Sequence, residues 1–372
     1  MGKKVLVTGG AGFIGSHLVD KLIAEGHEVR ILDNLDCQVH LGRKPDYLNK
    51  KADFILGDVR NIKDIERAFE DVEIVFHQAA AVGVAQSMYK IHHYVDVNTV
   101  GTAKILEFLV NKEHSVKKFV VASSMSVYGE GAYKCGKHGV VYPQLRTQEQ
   151  LKKHDWEVKC PQCGKNLVPI PTTEEKPLQP TSIYAITKRD QEEMCLAVGQ
   201  AYDIPTVALR YFNVYGPRQA LSNPYTGVAA IFSSRIKNNN PPLIFEDGLQ
   251  ARDFVYVTDV VEANLLAMRE KKANYESFNV SGGSRITILQ VAETLAKLFK
   301  KKIKPKIVNK YRAGDIRYCF GSIDKIKKMG YRPKVSFEEG MKNLVEWGII
   351  QEARDLSEKA TQELVERNLV EK

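Results

Sequence analysis

The sequence has no long apolar segment, no internal repeat and few cysteines. No run of 18 apolar residues occurs in its 372 positions, which argues against a helix that crosses a membrane. A strand-like apolar pattern begins at Val5, so we expect no signal peptide and a soluble, cytoplasmic protein. Six cysteines are too few and too unevenly spaced for a disulfide framework. Hydrophobic residues at 44% and charged residues at 27% indicate a globular chain with room for two domains.

The charge is positive but not concentrated. Lysine and arginine number 54 against 45 acidic residues, a net charge of +9. The dense run lies at 300–306, where five of seven residues are lysine. Spread charge of this kind predicts a solvated surface rather than a nucleic-acid interface, although it would also attract a phosphorylated small molecule.

Short apolar strands alternate with amphipathic helices through the first half of the chain. Strands are predicted at 5–7, 28–33, 54–56, 74–77 and 119–122, with apolar residues at helical spacing between them. This alternation is typical of the α/β class, with a Rossmann-type, doubly wound parallel sheet.

The places where this alternation breaks predict four regions. A sheet domain would comprise 1–129 and 174–215. It would be interrupted by an insertion at 130–173, which is rich in Gly, Pro, Lys and Cys. A smaller α/β lobe would follow at 216–350, including a short strand at 278–280, and a charged amphipathic helix at 351–372.

A glycine-rich turn follows the first strand and opens the first helix. Gly9, Gly12 and Gly15 would allow a tight turn, a close backbone approach to a pyrophosphate and close helix–strand packing. Asp33 ends the second strand, 18 residues after Gly15, where a carboxylate can bind both ribose hydroxyls and repel a 2′-phosphate. The sheet domain is therefore expected to bind NAD rather than NADP. Asp58, after the third strand, could face the adenine or cap the next helix.

A tyrosine and a lysine lie one helical turn apart. In YAITK at 184–188 the i, i+4 spacing places the Tyr184 phenol and the Lys188 ammonium on one face. A nearby cation and an oxidised nicotinamide would both lower the pKa of Tyr184, so that it could act as a base near neutral pH. Such a pair alone is common in structural helices. Here it accompanies the glycine-rich turn and a serine cluster, SSMSVYG at 123–129, at the carboxyl end of the fifth strand.

Together these motifs resemble the extended short-chain dehydrogenase/reductase family of nucleotide-sugar enzymes. The similarity rests on TGGAGFIG at 8–15, on the serine cluster and on YAITK. It continues through LRYFNVYGP at 209–217, RDFV at 252–255 and RAGD at 312–315. It covers nearly all of the chain except the insertion.

The resemblance implies a role for each matching residue. Tyr184 would be the acid/base, Lys188 would tune it and hold the nicotinamide ribose, and Ser124 would hydrogen-bond the reacting hydroxyl, with Ser123 and Ser126 as alternatives. The residues implied to bind the cofactor are Gly9, Gly12, Phe13, Ile14, Gly15, Asp33, Asn34, Asp58, Val59, Ala79, Ala80, Asn98, Ala122, Tyr184, Lys188 and Tyr211. The residues implied to bind substrate are Ser124, Ser126, Asn213, Arg252, Arg312, Asp315 and Cys319. Of these, Asn213 and the two arginines would hold a diphosphate.

The positions after the catalytic serine bear on the reaction. The family's shared first step removes the sugar C4 hydroxyl proton while hydride passes to NAD⁺, which gives a 4-keto sugar. Related dehydratases carry Asp-Glu directly after the catalytic hydroxyl residue, and decarboxylases usually keep the Glu, whereas Met125 and Ser126 stand here. The resemblance therefore implies an NAD-dependent nucleotide-sugar 4-epimerase. The alternatives are an NAD(P)H-dependent 4-keto reductase and a non-enzymatic NAD-binding scaffold with a zinc module.

The sugar and the base are less defined. Cys319 aligns with a position that gates the hexose pocket of UDP-glucose 4-epimerases, where a small residue admits an N-acetyl group; a buried cysteine would equally suit the core. UDP- and dTDP-sugars both remain open. The resemblance also implies a homodimer through helices at about 95–112 and 184–202.

The insertion contains a candidate metal site. The pairs Cys135/His138 and Cys160/Cys163 have C-x₂-H and C-x₂-C spacing and are separated by 21 residues. They would bind one structural Zn²⁺ in a closed, zinc-ribbon-like Cys₃His site, with free thiols in a loop as the alternative. The ion would order a polar segment that we expect to cover or flank the sugar pocket. The insertion resembles that of a subgroup that includes dTDP-L-rhamnose 4-epimerases.

Overall fold

The computed structural model describes residues 2–371. The strands are β1 (Lys4–Thr8), β2 (Glu28–Asp33), β3 (Asp53–Leu56), β4 (Ile74–His77), β5 (Lys118–Ser124), β6 (Ala132–Cys135), β7 (Gly139–Val141), β8 (Val168–Ile170), β9 (Thr206–Tyr211), β10 (Asn213–Tyr215), β11 (Leu243–Ile244), β12 (Ala251–Arg252), β13 (Phe254–Tyr256), β14 (Glu276–Val280), β15 (Ile286–Thr287), β16 (Lys306–Ile307) and β17 (Tyr318–Cys319).

The helices are α1 (Phe13–Ala24), α2 (Cys37–His40), α3 (Ile62–Phe69), α4 (Val84–Ser87), α5 (Ile91–Tyr94), α6 (Gly101–Asn111), α7 (Gln148–Lys152), α8 (Ile183–Ala201), α9 (Val228–Lys237), α10 (Val257–Arg269), α11 (Ile288–Leu298), α12 (Asp324–Lys327), α13 (Phe337–Ile350) and α14 (Ser357–Glu366). A π-helical segment (Val95–Val100) precedes α6, and 3₁₀ turns lie at Met125–Tyr128 and Lys271–Ala273.

Within the described residues, seven parallel strands form the central sheet in the order β14-β9-β5-β4-β1-β2-β3. Val5 and Val7 of β1 belong to an apolar cluster that includes α1 and α10, whereas Leu6 belongs to a second cluster with α3 and α6. Burial on both faces explains the continuous apolar runs of these strands. The predicted α/β class and Rossmann-type parallel sheet are confirmed.

One edge strand of this sheet comes from beyond the predicted domain boundary. β14 pairs in parallel with β9, with Phe278 beside Leu209, and α10 packs against α1. Residues 257–280 therefore belong to the sheet layer and not to the smaller lobe predicted at 216–350. The difference arises because a short apolar run has the same pattern whichever sheet it joins, and the partner strand decides its place.

The second lobe is built around a small parallel strand pair, β10 and β13. Tyr215 and Phe254 of this pair pack with apolar residues of α9, α11 and α13. A reciprocal capping box between Thr287 and Gln290 starts α11. Because β10 begins two residues after β9 ends, Asn213 lies where the chain leaves the carboxyl edge of the large sheet.

The insertion forms its own three-stranded antiparallel sheet in the order β7-β6-β8. Its apolar residues Tyr133, Val158 and Leu167 cluster with Ala251 and Tyr318 of the second lobe. The insertion is thereby attached to the second lobe.

The predicted C-terminal helix corresponds to α14, after which Val370 forms an antiparallel bridge with Arg312. Among residues 2–371, no helix combines the length and the apolar composition that crossing a membrane requires.

Candidate functional site

A cavity of about 870 Å³ lies at the carboxyl edge of the large sheet. It extends from the turn after β1, past the ends of β4, β5 and β9, to the second lobe and the C-terminal segment. Open parallel α/β sheets bind ligands at this edge, and the volume suits a small-molecule site. Every predicted cofactor and substrate residue lines this cavity except Asn98 and Cys319.

The glycine-rich turn presents bare backbone at one end of the cavity. Gly9 has a φ of +69°, and a Cβ there would lie 2.8 Å from the backbone nitrogen of Ala79. A Cβ on Gly15 would lie 2.2 Å from the carbonyl oxygen of Gly9. Helix α1 begins at Phe13 with no side-chain cap and no acidic residue in its first turn, so its N–H groups can bind an anion. These features fit a dinucleotide pyrophosphate.

Asp33 is held rigidly in the cavity wall. Its Oδ2 accepts the N–H of Ala11 at 3.0 Å and its Oδ1 accepts the N–H of Leu35 at 2.9 Å. Within the described residues one hydrogen bond reaches each oxygen, with His40 Nε2 at 3.7 Å from Oδ1, and further acceptor capacity remains for ribose hydroxyls.

Asp58 also lines the cavity and does not cap the next helix. It accepts a hydrogen bond from Asn34 at 2.9 Å and pairs with Arg60 at 2.7 Å. Burial alone would raise its pKa, but the hydrogen bonds from Arg60 and Asn34 lower the pKa of Asp58 to about 2. The cap of α3 is Asn61, whose side chain accepts the N–H of Lys63.

Asn98 supports the cofactor wall from behind, which differs from its predicted place in that wall. It is fully buried, and its side chain exchanges hydrogen bonds with the N–H and carbonyl of Ala81 at 2.7 and 3.0 Å. A third hydrogen bond reaches Thr187 at 3.0 Å. Ala79 and Ala80, which this contact helps to place, line the cavity as predicted.

The three serines at the end of β5 have different partners. Ser123 Oγ donates to Glu192 at 2.5 Å and is buried. The N–H and hydroxyl of Ser126 donate to Ser124 Oγ at 3.1 and 2.9 Å. Ser124 is close enough to the Tyr184 phenol to lower its pKa. Ser124 is thus the serine that the structure brings to the phenol.

Helix α8 carries the tyrosine and the lysine into the cavity. Its N-terminus is capped by Ser182, and Lys188 Nζ donates to the carbonyl oxygen of Ala122 at 2.8 Å. Burial raises the pKa of Tyr184 to about 12, against a smaller opposing effect of Ser124, and burial lowers the pKa of Lys188 to about 7. The sequence predicted a lowered pKa for Tyr184, but the protein chain by itself has a raised one. Full burial disfavours the charged form of both the phenol and the lysine.

Arg252 faces the far half of the cavity. Its guanidinium donates to the carbonyl oxygens of Ala251, Ile316 and Arg317 at 2.7–3.0 Å. Within residues 2–371 it forms no salt bridge with a carboxylate, so its charge is available to an anionic ligand.

Arg312 and Asp315 form an ion pair at 2.7 Å on the same side of the cavity. The Arg312 guanidinium also lies 4.8 Å from the centre of the Phe245 ring. Carboxylate and ring together orient the arginine while leaving its outer N–H groups for a phosphate.

Three buried amide oxygens in the cavity wall have no hydrogen-bond partner within the described residues, those of Asn213, Gln219 and Gln250. Buried polar atoms without a partner are rare in native proteins. They mark a surface that is suited to a polar ligand. Only Asn213 was predicted from the sequence, because the two glutamines lie in no recognisable motif.

Cys319, predicted to gate a hexose pocket, does not line the cavity. Its side chain is 1% exposed and packs in the apolar core, where burial raises its pKa to about 12. The structure favours the alternative of a core residue.

The insertion was expected to cover or flank the sugar pocket, and it does not cover the cavity. None of residues 130–173 lines the cavity; the insertion packs against the second lobe, and its Arg146 contacts the carbonyl oxygen of Asp315, which does line the cavity. The insertion follows Ser124 closely in the sequence. Its apolar contacts with Ala251 and Tyr318, however, hold it against the second lobe and away from the cavity.

The four predicted metal ligands come together in the insertion. Their ligand atoms all lie within 4.8 Å of one another. Sγ of Cys135 lies 3.6 Å from Nδ1 of His138 and 3.7 Å from Sγ of Cys163, and the histidine nitrogen lies 3.4 Å from Sγ of Cys160. A tetrahedral zinc with Zn–S of about 2.3 Å and Zn–N of about 2.0 Å requires ligand separations of roughly 3.5–3.8 Å. The cluster therefore fits such an ion.

The C-terminal segment contributes a cavity wall that the sequence did not predict. Ala360 and Leu364 of α14 and Leu369 line the cavity. The carbonyl of Leu369 accepts the N–H of Ala313 at 2.9 Å, next to Arg312. The amphipathic pattern of α14 shows that one of its faces is covered, but not what covers it.

Residues 5–149 and 161–281 match the model of the NAD dependent epimerase/dehydratase family. The chain belongs to this family. The predicted resemblance to nucleotide-sugar enzymes of the extended short-chain type is confirmed, as is the prediction of an enzyme. The part of the chain between the two matched segments, 150–160, lies within the insertion.

Relatives in this family are similar over nearly the whole chain. A dTDP-L-rhamnose 4-epimerase from Burkholderia thailandensis is 33% identical over 350 residues, which are 93% of this chain and 95% of that protein. A solved UDP-glucose 4-epimerase with UDP-glucose from Thermotoga maritima is 34% identical, with a TM-score of 0.76 over 92% of this chain and 98% of that one. The UDP-glucose 4-epimerase of Thermus thermophilus in complex with NAD is 33% identical, with a TM-score of 0.73 over 93% and 98%. A decarboxylase and a dehydratase are similar as well.

Proposed function

We propose that this enzyme inverts C4 of a nucleoside-diphosphate sugar through a 4-keto intermediate, with NAD retained between turnovers. The observation that carries the proposal is the distribution of acidic side chains in the cavity. The carboxylates that line it are Asp33, Asp36, Asp58 and Asp315.

None of these four adjoins the serine and tyrosine pair in the fold. The first three follow β2 and β3, at the far side of the sheet from β5, and Asp315 is paired with Arg312. Met125 and Ser126 follow Ser124, so a dehydratase's acid is absent from the expected place. Epimerisation needs no such acid, because the same hydride and proton return to the sugar.

The family and the turn at 9–15 support NAD as the cofactor. The N–H groups at the start of α1 would hold the pyrophosphate, Asp33 the adenosine ribose, and Lys188 the nicotinamide ribose. When bound, NAD supplies the acceptor and then the donor of a hydride at C4.

The phenol oxygen of Tyr184 would take the proton from the C4 hydroxyl and return it after the keto sugar has turned. Ser124 would hydrogen-bond the same hydroxyl and orient it toward the phenol. Burial alone disfavours the Tyr184 phenolate. Formation of the phenolate therefore requires an added positive charge in the cavity, which an oxidised nicotinamide would supply.

Arg252 and Arg312 would bind the substrate diphosphate, with Asn213 beside them. Planar guanidinium groups bind phosphate oxygens through two parallel hydrogen bonds, which orients the phosphate as well as neutralising it. The unpartnered amide oxygens of Gln219 and Gln250 would accept hydrogen bonds from the rest of the nucleotide sugar.

A structural zinc and a homodimer complete the proposal. The zinc would occupy the Cys135, His138, Cys160 and Cys163 cluster, in a closed site that leaves no position for a substrate water. The dimer would form through the helices at about 95–112 and 184–202, where the apolar side chain of Ile186 is 42% exposed.

Incubation with a panel of UDP-, dTDP-, GDP- and CDP-sugars without added reductant tests the proposed reaction. We expect one nucleotide class to yield a mixture of C4 isomers on sugar analysis, without net change in absorbance at 340 nm. Stoichiometric consumption of NAD(P)H with a 4-keto sugar would instead identify a reductase. Absence of any C4 isomer across the panel would refute the epimerase.

A further inference from the structure

A buried network of charged side chains joins the insertion to the segment behind the two arginines that face the cavity. Arg146 of the insertion makes a bidentate pair with Glu246 at 2.8 and 2.9 Å and donates to the carbonyl oxygen of Asp315 at 3.1 Å. Arg317, which is 0% exposed, contacts Glu246 at 3.1 Å and Asp247 at 2.6 Å. Two arginines thus share one buried carboxylate.

Two carboxylates of the insertion form hydrogen bonds with Arg317. The guanidinium of Arg317 donates to Glu157 at 2.7 Å. Glu130 accepts the backbone N–H groups of Arg317 and Tyr318 at 2.8–3.0 Å and the hydroxyl of Tyr133 at 2.5 Å. Tyr133 lies on β6, the strand that ends at the first ligand of the metal cluster.

The opposite side of the same segment holds the phosphate-binding arginines. The carbonyl oxygens of Ile316 and Arg317 accept hydrogen bonds from Arg252 at 2.7 and 3.0 Å. The carboxylate of Asp315 accepts one from Arg312 at 2.7 Å. Residues 315–317 are therefore bound by the insertion on one side and orient both cavity arginines on the other.

We infer that Arg146 and Arg317 are positioning residues for substrate binding, through which the metal-bound insertion sets the orientation of Arg252 and Arg312. This inference rests on the proposed roles of those two arginines and of the metal cluster. Because the insertion does not line the cavity, it acts on affinity for the diphosphate and not on proton transfer at Tyr184. A lysine at either network position keeps the charge but loses the second hydrogen bond of the guanidinium fork.

The inference is tested with UDP and dTDP as probes on the NAD-loaded full-length protein, by titration calorimetry. The variants are Arg146→Lys and Arg317→Lys. The matched control is Arg30→Lys, since Arg30 pairs with Asp53 at 2.7 Å and donates to three backbone carbonyls in the sheet domain. In a second experiment a chelator removes metal from the wild-type protein. The inference can then be tested even if a variant fails to fold.

We expect the Kd of the nucleoside diphosphate to rise at least tenfold in Arg146→Lys and in the metal-stripped protein. The NAD content should stay constant and the control should be unchanged. On an active substrate, KM should rise while kcat stays within about twofold. An unchanged Kd in both folded Arg146→Lys and the metal-stripped protein would overturn the inference, and so would equal loss of NAD and nucleotide binding. A protein with weakened UDP binding but no epimerase activity would support this inference while refuting the proposed reaction.

Discussion

The ammonium nitrogen of Lys188 lies 2.8 Å from the carbonyl oxygen of Ala122, two residues before Ser124. This hydrogen bond ties the helix that carries Tyr184 to the strand that carries Ser124. It also leaves the lysine fully buried, and burial lowers its pKa to about 7. In the proposed mechanism the lysine would have a mechanical role, through this hydrogen bond, and an electrostatic role toward Tyr184 that depends on pH.

Replacing Lys188 with Met should separate these roles. We expect kcat at pH 7 to fall by roughly 10²–10³-fold and the rising limb of the pH–rate profile to move to higher pH. The reason is that the Tyr184 phenolate loses a cation one helical turn away. The measurement is kcat between pH 6 and 10, with Lys118→Met as control, since Lys118 is also buried but does not line the cavity. An unshifted profile would contradict the electrostatic role.

Replacing Tyr184 with Phe should abolish turnover without releasing the cofactor. We expect a rate loss of at least about 10³-fold, because the phenol oxygen carries the proton. The NAD content of the purified protein should match wild type, as measured by absorbance after acid release. Tyr331→Phe, which alters a buried hydroxyl bonded to the carbonyl of Ser281, should remain active. Activity in Tyr184→Phe would exclude the proposed acid/base.

Replacing Cys160 with Ser should remove the metal and lower stability. We expect one zinc per wild-type chain by elemental analysis, little in the variant, and a Tm lower by about 5–10 °C because the polar insertion loses its central cross-link. Cys37→Ser changes an exposed cysteine outside the cluster and should retain both zinc and Tm. Wild-type protein without metal after growth in zinc would count against the site.

His77 should make the protein sensitive to mild acid. It is fully buried, hydrogen-bonded to the hydroxyls of Thr8 at 2.8 Å and Thr102 at 2.9 Å, and burial, with a smaller effect of Lys188, lowers its pKa to about 3. Between its ordinary pKa near 6.5 and that value, the unfolded chain binds the extra proton, so stability falls as pH falls.

From pH 7.5 to pH 5 we expect His77 to contribute a loss of about 2 kcal/mol in the free energy of unfolding. The measurement is urea unfolding at both pH values. His77→Gln should lose correspondingly less than wild type, whereas replacement of the exposed His92 by Gln should not change the difference. Equal pH dependence in wild type and His77→Gln would show that the folded-state pKa is not depressed.

Several features of the fold and of the site were predictable because they depend on residues near one another in the chain. Alternating strands and helices gave the parallel sheet, and i, i+4 spacing placed Tyr184 and Lys188 on one helical face. The two short cysteine and histidine pairs likewise predicted that four potential metal ligands come together. Among three adjacent serines, however, resemblance and not spacing singled out Ser124, and the structure supports it because Ser123 is bound to Glu192.

The features that were missed depend on contacts between distant segments. β14 could not be assigned to the large sheet before its pairing with β9 was known, and the C-terminal segment became a cavity wall only by pairing beside Arg312. Cys319 and Asn98 match family positions but point into packed surroundings in this fold.

Local spacing, together with the family resemblance, thus indicated the candidate groups for proton transfer, dinucleotide binding and metal binding. Tertiary packing alone decides their environment, because burial sets the pKa values of Tyr184 and Lys188 in opposite directions. It also places the insertion behind residues 315–317, which contact Arg252 and Arg312, and not over the cavity. These effects depend on how segments far apart in the chain pack together and exclude water, and a short-range sequence pattern does not contain that information.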